Sequence, residues 1–175
     1  MQTGIVMLMA LLLPALARAE GPVRLYYVGE AKVSSASGEP MGSQVYLLQK
    51  TLDREKATIT ERAVIVRPGE AAEEWTMRFA VKEDNTFTLS EDSGRAMGNG
   101  KLFGPAWKWT YFKGTYKTNK GIEIEDENFL ADESAGSARQ KLTGPDGKVM
   151  MFVDLTLKSV TPKTYEILRE GLLKK

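Results

Sequence analysis

The sequence contains no cysteine and no histidine. Disulfides, thiolate nucleophiles, zinc held by Cys or His, His-ligated haem and imidazole acid–base catalysis are therefore all excluded. An excess of one charge sign is missing too: 24 Lys and Arg stand against 23 Asp and Glu in 175 residues. Such a balanced chain has no electrostatic reason to seek nucleic acid or an anionic membrane. No apolar run reaches the roughly 20 residues that a membrane-spanning helix needs. The longest spans residues 5–17 and ends in Ala17-Arg18-Ala19, the small-x-small pattern that signal peptidase reads, although no Lys or Arg precedes it. Pro14 interrupts the run and no polar stripe gives it a surface face, which argues against a buried helix. Residues 1–19 are expected to be a signal peptide cut after Ala19. Residues 20–175 then form one domain in the periplasm or outside the cell, with no transmembrane segment and no lipidated cysteine. A domain of this length buries about two thirds of its unfolded surface and needs no bridges.

What is present is a period of two, broken by turn residues at short intervals. Candidate strands are 24–35, 44–53, 56–67, 73–82, 86–91, 95–103, 106–117, 121–130, 138–143 and 148–159. The breaks carry turn chemistry, as in Arg67-Pro68-Gly69, Asp92-Ser93-Gly94 and Gly144-Pro145-Asp146-Gly147. No helical crossovers separate the strands, so neighbours must pair as antiparallel hairpins. Some ten meandering strands leave exposed edges in a flat sheet, whereas closure into an up-and-down barrel removes them. The fold class is thus all-β, an antiparallel meander closing into a barrel of about 8–10 strands. Residues 163–175 fit either a last strand or a short helix beginning at Thr161-Pro162.

A four-residue loop over 144–147 pairs Leu142 with Val149, Gln140 with Met151 and Ala138 with Val153. One face then carries Ala138, Leu142, Val149, Met151, Val153, Leu155 and Leu157, and the other Arg139, Lys141, Asp154 and Lys158. A turn at Asn119-Lys120, with two or four loop residues, pairs Lys117 with Ile122 and Lys113 with Asp126. This register turns Trp107, Trp109, Tyr111, Lys113, Ile122, Ile124, Asp126 and Asn128 inward and leaves Phe112 and Tyr116 in solvent. On 73–82, Trp75, Met77, Phe79 and Val81 face inward. Strand 56–67 allows two registers, which place either Glu61 or Arg62 on the inner face.

The segment Asp92-Ser-Gly94-Arg-Ala-Met-Gly98-Asn-Gly100-Lys-Leu-Phe-Gly104-Pro-Ala-Trp107-Lys-Trp109-Thr-Tyr111, followed by an acidic strand from Ile122 to Leu130, resembles uncharacterised exported bacterial proteins of the lipocalin-like (calycin) superfamily. That resemblance implies a barrel that binds apolar small molecules, since many of its members carry lipids or cofactors. The chain departs from true lipocalins in having no Gly-x-Trp in its first strand, and it lacks the histidine of haem-binding relatives.

Trp75, Trp107, Trp109 and Tyr111 are candidates to line a ligand cavity, because pockets are mostly aromatic and apolar with a few placed polar groups. Lys113, Asp126 and Asn128, with Glu61 or Arg62, are candidates to orient a head group, or else to form a structural buried pair. The acidic residues 123–127 alternate between faces without a calcium-type loop, and Gly98-x-Gly100 lacks the context of a phosphate cradle, so no metal and no cofactor are expected. The serines have no imidazole to activate them and no spacing singles out a Ser–Lys pair, so no catalytic residue is assigned. The leading expectation is an exported monomer that binds a hydrophobic or amphipathic, lipid-like small molecule. Behind it stand an interaction module with a filled barrel, presenting Phe112 and Tyr116, and last an enzyme using Asp126 or Glu61 as a base.

Overall fold

A computed structural model of the chain describes residues 21–130 and 134–174, and the leader assigned to residues 1–19 lies outside them. The described residues form ten strands: β1 (Val23–Ser35), β2 (Pro40–Asp53), β3 (Thr58–Val66), β4 (Glu73–Val81), β5 (Thr86–Glu91), β6 (Ala96–Phe103), β7 (Tyr111–Thr118), β8 (Glu123–Leu130), β9 (Ala135–Thr143) and β10 (Val149–Ser159). Each pairs antiparallel with its neighbour in sequence, and β1 closes on β10. The meander is therefore a closed barrel with no free edge, as the strand count demands.

The chain's tail is a helix, α1 (Pro162–Leu173), which settles the open choice over that segment. Thr161 caps it by accepting from the Thr164 amide, and Pro162 supplies the first-turn φ without losing a needed donor. The helix lies on the outer wall. Tyr165, 1% exposed, packs among Leu47 and Val64, with Tyr26 and Leu172 beside it, and Arg169 bonds to Glu74 on β4.

Ends of the lumen differ. At one end Phe79, Phe87 and Phe112 meet edge to face with centroids 5.2–6.0 Å apart, and Ile59, Leu89 and Leu102 fill the space around them. The spaced glycines make this packing possible. A Cβ on Gly100 would stand 2.4 Å from the Phe87 ring and 2.3 Å from the Lys113 carbonyl oxygen. These glycines are thus gaps into which a ring and a neighbouring strand fit.

Two registers depart from expectation. The β7–β8 loop has three residues, with Gly121 at φ 78° and the Thr118 amide donating to the Ile122 carbonyl. Such a turn, with glycine in the left-handed region, places Lys117 opposite Glu123 rather than Ile122. A slip of one turns the whole of β7 over. Phe112 and Tyr116 therefore point into the barrel, Tyr111 and Lys113 point out, and Lys113 bonds to Glu127 at 2.7 Å, not to Asp126. Strand β7 also begins only at Tyr111. Gly104-Pro105 ends β6 and opens a loop in which Trp107 sits at φ 62°. The β9–β10 hairpin instead shifts by two, one residue from a turn that pairs Thr143 with Val149 and one from a bulge at Met150, so that Leu155 lies opposite Ala138. An even shift preserves the faces. Ala138, Leu142, Met151, Val153, Leu155 and Leu157 all line the lumen, while Val149, on the turn side of the bulge, does not.

Candidate functional site

The other end of the lumen is hollow. A cavity of about 820 Å³ opens between the β1–β2, β3–β4 and β7–β8 connections, at residues such as Met41, Pro68 and Lys120. Its walls are mostly apolar, formed by Leu48, Ala63, Ile65, Leu142, Met151 and Val153 from four strands of the barrel. These are the inward members of period-two strands, so the local pattern alone lines the wall.

Polar side chains interrupt this wall at one level. Lys50 on β2 lies opposite Glu61 on β3, and its Nζ is 2.7 Å from the Glu61 carboxylate. Burial works against the Lys50 charge, but Glu61 beside it outweighs that and the pKa is raised. Across the lumen Asp126 on β8, 8% exposed, accepts from Asn128 Nδ2 at 2.9 Å and is bonded by the neighbouring Gln140 on β9. Burial first and the Glu61 charge second push the Asp126 carboxyl up to about 7, against the pull of the Gln140 and Asn128 amides and of Lys50. Two phenols complete the group. Burial drives Tyr46 up to about 12 and Tyr116 well above the ordinary tyrosine value, so both stay neutral donors and acceptors.

A second polar set stands nearer the rim. Arg95 lies over the Trp75 ring at 4.1 Å and bonds to Glu73 at 3.1 Å and Glu91 at 2.9 Å. Arg67 shares Glu73, at 3.0 Å, and reaches Glu70. Glu91 also accepts from the Ser93 and Arg95 amides, and with the Arg95 guanidinium as the main cause its carboxyl is pulled down to about 2. Trp75 Nε1 is buried without a hydrogen-bond partner on a residue that lines the cavity.

Of the residues singled out from the sequence, Trp75, Glu61, Asp126 and Asn128 come together on the cavity wall. Arg62 is exposed on the outer face of β3, which selects Glu61 of the two alternatives. Tyr111 and Lys113 face outward for the reason given above. Trp107 and Trp109 close the packed end against the phenylalanine cluster, with Trp109 Nε1 donating to Asn85 at 3.1 Å, and do not line the cavity. Sequence reasoning did not pick out Lys50, Tyr46, Gln140 or Arg95, and it placed Tyr116 on the outer face. The alternation Tyr46-Leu48-Lys50 and Ala138-Gln140-Leu142 carried the signal for three of them. Among the described residues no group of three or more acidic side chains is arranged to hold a metal ion.

No protein-family model matches the sequence, and no curated relative matches it. Solved structures share the fold. A protein of unknown function from the DUF3598 family of Nostoc punctiforme PCC 73102 superposes with a TM-score of 0.57 at 12% identity, over 77% of this chain and 46% of that one. The chain thus spans less than half the length of that relative. The S-type phycobiliprotein lyase CPES from Guillardia theta superposes with a TM-score of 0.53 at 10% identity, over 86% of this chain and 93% of that one. At these identities the likeness is one of fold alone.

Proposed function

We propose that the protein holds an apolar or amphipathic, lipid-like small molecule in the open half of its barrel, as an exported monomer without catalytic activity. The observation that carries this reading is the cavity of about 820 Å³, apolar along most of its wall and polar at one inner level and at the rim. Small-molecule sites have this size and this mixture. Burial supplies roughly 0.8 kcal/mol per methylene, so a ten-carbon chain brings about 8 kcal/mol before the cost of association. One fold neighbour is a phycobiliprotein lyase, but 10% identity does not carry that activity here. The alternative of a filled interaction module loses its main feature, since Phe112 and Tyr116 face the lumen.

The test begins with the full-length chain expressed in a bacterium. Amino-terminal sequencing of periplasmic protein should read from Glu20. Organic extraction followed by mass spectrometry should recover an apolar molecule near one equivalent. Trp75 is the tryptophan on the cavity wall, so Trp75→Phe should abolish the fluorescence response to added lipids. Protein that carries nothing, and whose fluorescence ignores a lipid panel, would refute the binding reading.

A further inference from the structure

The charges around the cavity do not cancel. At the polar level there are two carboxylates, Glu61 and Asp126, and one ammonium, Lys50, which is 2.7 Å from Glu61. No Lys or Arg among the described residues forms an ion pair with Asp126, whose partners are the Asn128 and Gln140 amides. At the rim, Arg67 and Arg95 are shared among Glu70, Glu73 and Glu91. Lys120 is exposed on the β7–β8 turn. Both guanidinium charges are therefore already shared with carboxylates, with only Arg95 Nε buried without a partner, while a buried carboxylate that lines the open space has no cation bonded to it.

We infer that the head group this cavity takes is a protonated amine on an apolar body, seated against the Asp126 carboxylate, and that carboxylate-headed ligands are rejected. This rests on the cavity being the ligand site. A buried carboxylate is tolerated when a cation pairs with it. An ammonium brings three donors, and the oxygens of Asp126, Asn128, Gln140, Tyr116 and Tyr46 are the acceptors on the same level of wall. A fatty-acid head placed there meets two like charges and no free cation.

Without a ligand, Asp126 avoids its unpaired charge by holding a proton to about neutrality, with burial and Glu61 as the causes. The ionisable groups that face it are Glu61 on β3, Lys50 and Tyr46 on β2, and Tyr116 on β7. Neither phenol ionises below pH 8, given how far each is raised. Amine binding should accordingly strengthen as pH rises from 5.5 to 8, while binding of a neutral alcohol should not change.

The test uses dodecylamine, dodecanol and dodecanoate, titrated below their aggregation limits against the purified protein with Trp75 fluorescence as readout. At pH 8 dodecylamine should bind at least about tenfold tighter than dodecanoate. Asp126→Asn should weaken dodecylamine by about tenfold or more and leave dodecanol within about twofold. Glu61→Gln, which frees Lys50 to neutralise Asp126, should weaken the amine as well, and it stands in if the first variant fails to fold by circular dichroism. Dodecanoate binding as tightly as the amine, or amine affinity unchanged in the folded variants, overturns the inference. Alcohol binding without a preference for the amine removes this inference and keeps the cavity as a lipid site. Failure of all three probes to bind removes both.

Discussion

Asp126→Asn should make the protein more stable, and more so at alkaline than at acid pH. The fold raises the carboxyl from 3.8 to about 7, so the folded state favours the protonated acid. Each unit of such a shift corresponds to about 1.4 kcal/mol. Ionised Asp126 therefore costs the folded state about 4 kcal/mol above pH 7, and this cost disappears as pH falls towards 4. Between pH 5 and pH 8 the change is about 2.5 kcal/mol, in the direction of lower stability at higher pH. An amide retains the shape and the hydrogen-bonding capacity of the neutral acid without the charge. The gain from the substitution, measured by urea unfolding of ligand-free protein, should thus be about 2.5 kcal/mol larger at pH 8 than at pH 5. Other titrating groups act on both proteins and cancel in that difference. A gain that is the same at the two pH values would show that Asp126 ionises normally and that water reaches it, and the reasoning about its unpaired burial would be wrong.

Glu91 should behave in the opposite sense. Its carboxyl falls from 4.5 to about 2, so its contribution is present above pH 4.5 and lost as pH falls through 2. Glu91→Gln should then cost about 3 kcal/mol at pH 7 and close to nothing at pH 2, by urea unfolding at each pH. Gly100→Ala should destabilise by about 3 kcal/mol or prevent folding, because the added methyl meets the Lys113 carbonyl and the Phe87 ring; a thermal midpoint within a degree of the parent would contradict the packing described. Tyr165→Ala should cost about 3 kcal/mol and expose the Lys and Arg sites of α1 to trypsin, since the helix is held on the wall mainly through that ring. An unchanged cleavage pattern would show that the helix docks by other contacts.

Local pattern in this chain determined the strands and most of their faces. Period-two alternation interrupted by Gly, Pro and Asp turns requires a meander, and ten strands without a helix crossover require closure. The inward placement of Trp75, Asp126 and Asn128 follows from the same alternation, because a side chain's face depends only on its own strand once one face is known to be buried. What the tertiary structure decided was everything that depends on pairing between strands. Gly121 in the left-handed region made the β7–β8 loop three residues long, and that single residue of slip sent Lys113 outward and Tyr116 inward. The choice between Glu61 and Arg62 also lay in pairing, since only the fit of β3 against β2 puts Glu61 opposite Lys50. Whether the lumen is full or empty was likewise beyond the sequence: Phe87 fills one end through gaps left by glycines on two other strands, and no comparable ring fills the other. Alternation is a property of a strand and can be read locally, whereas register and void volume are properties of neighbours and exist only after the barrel has closed.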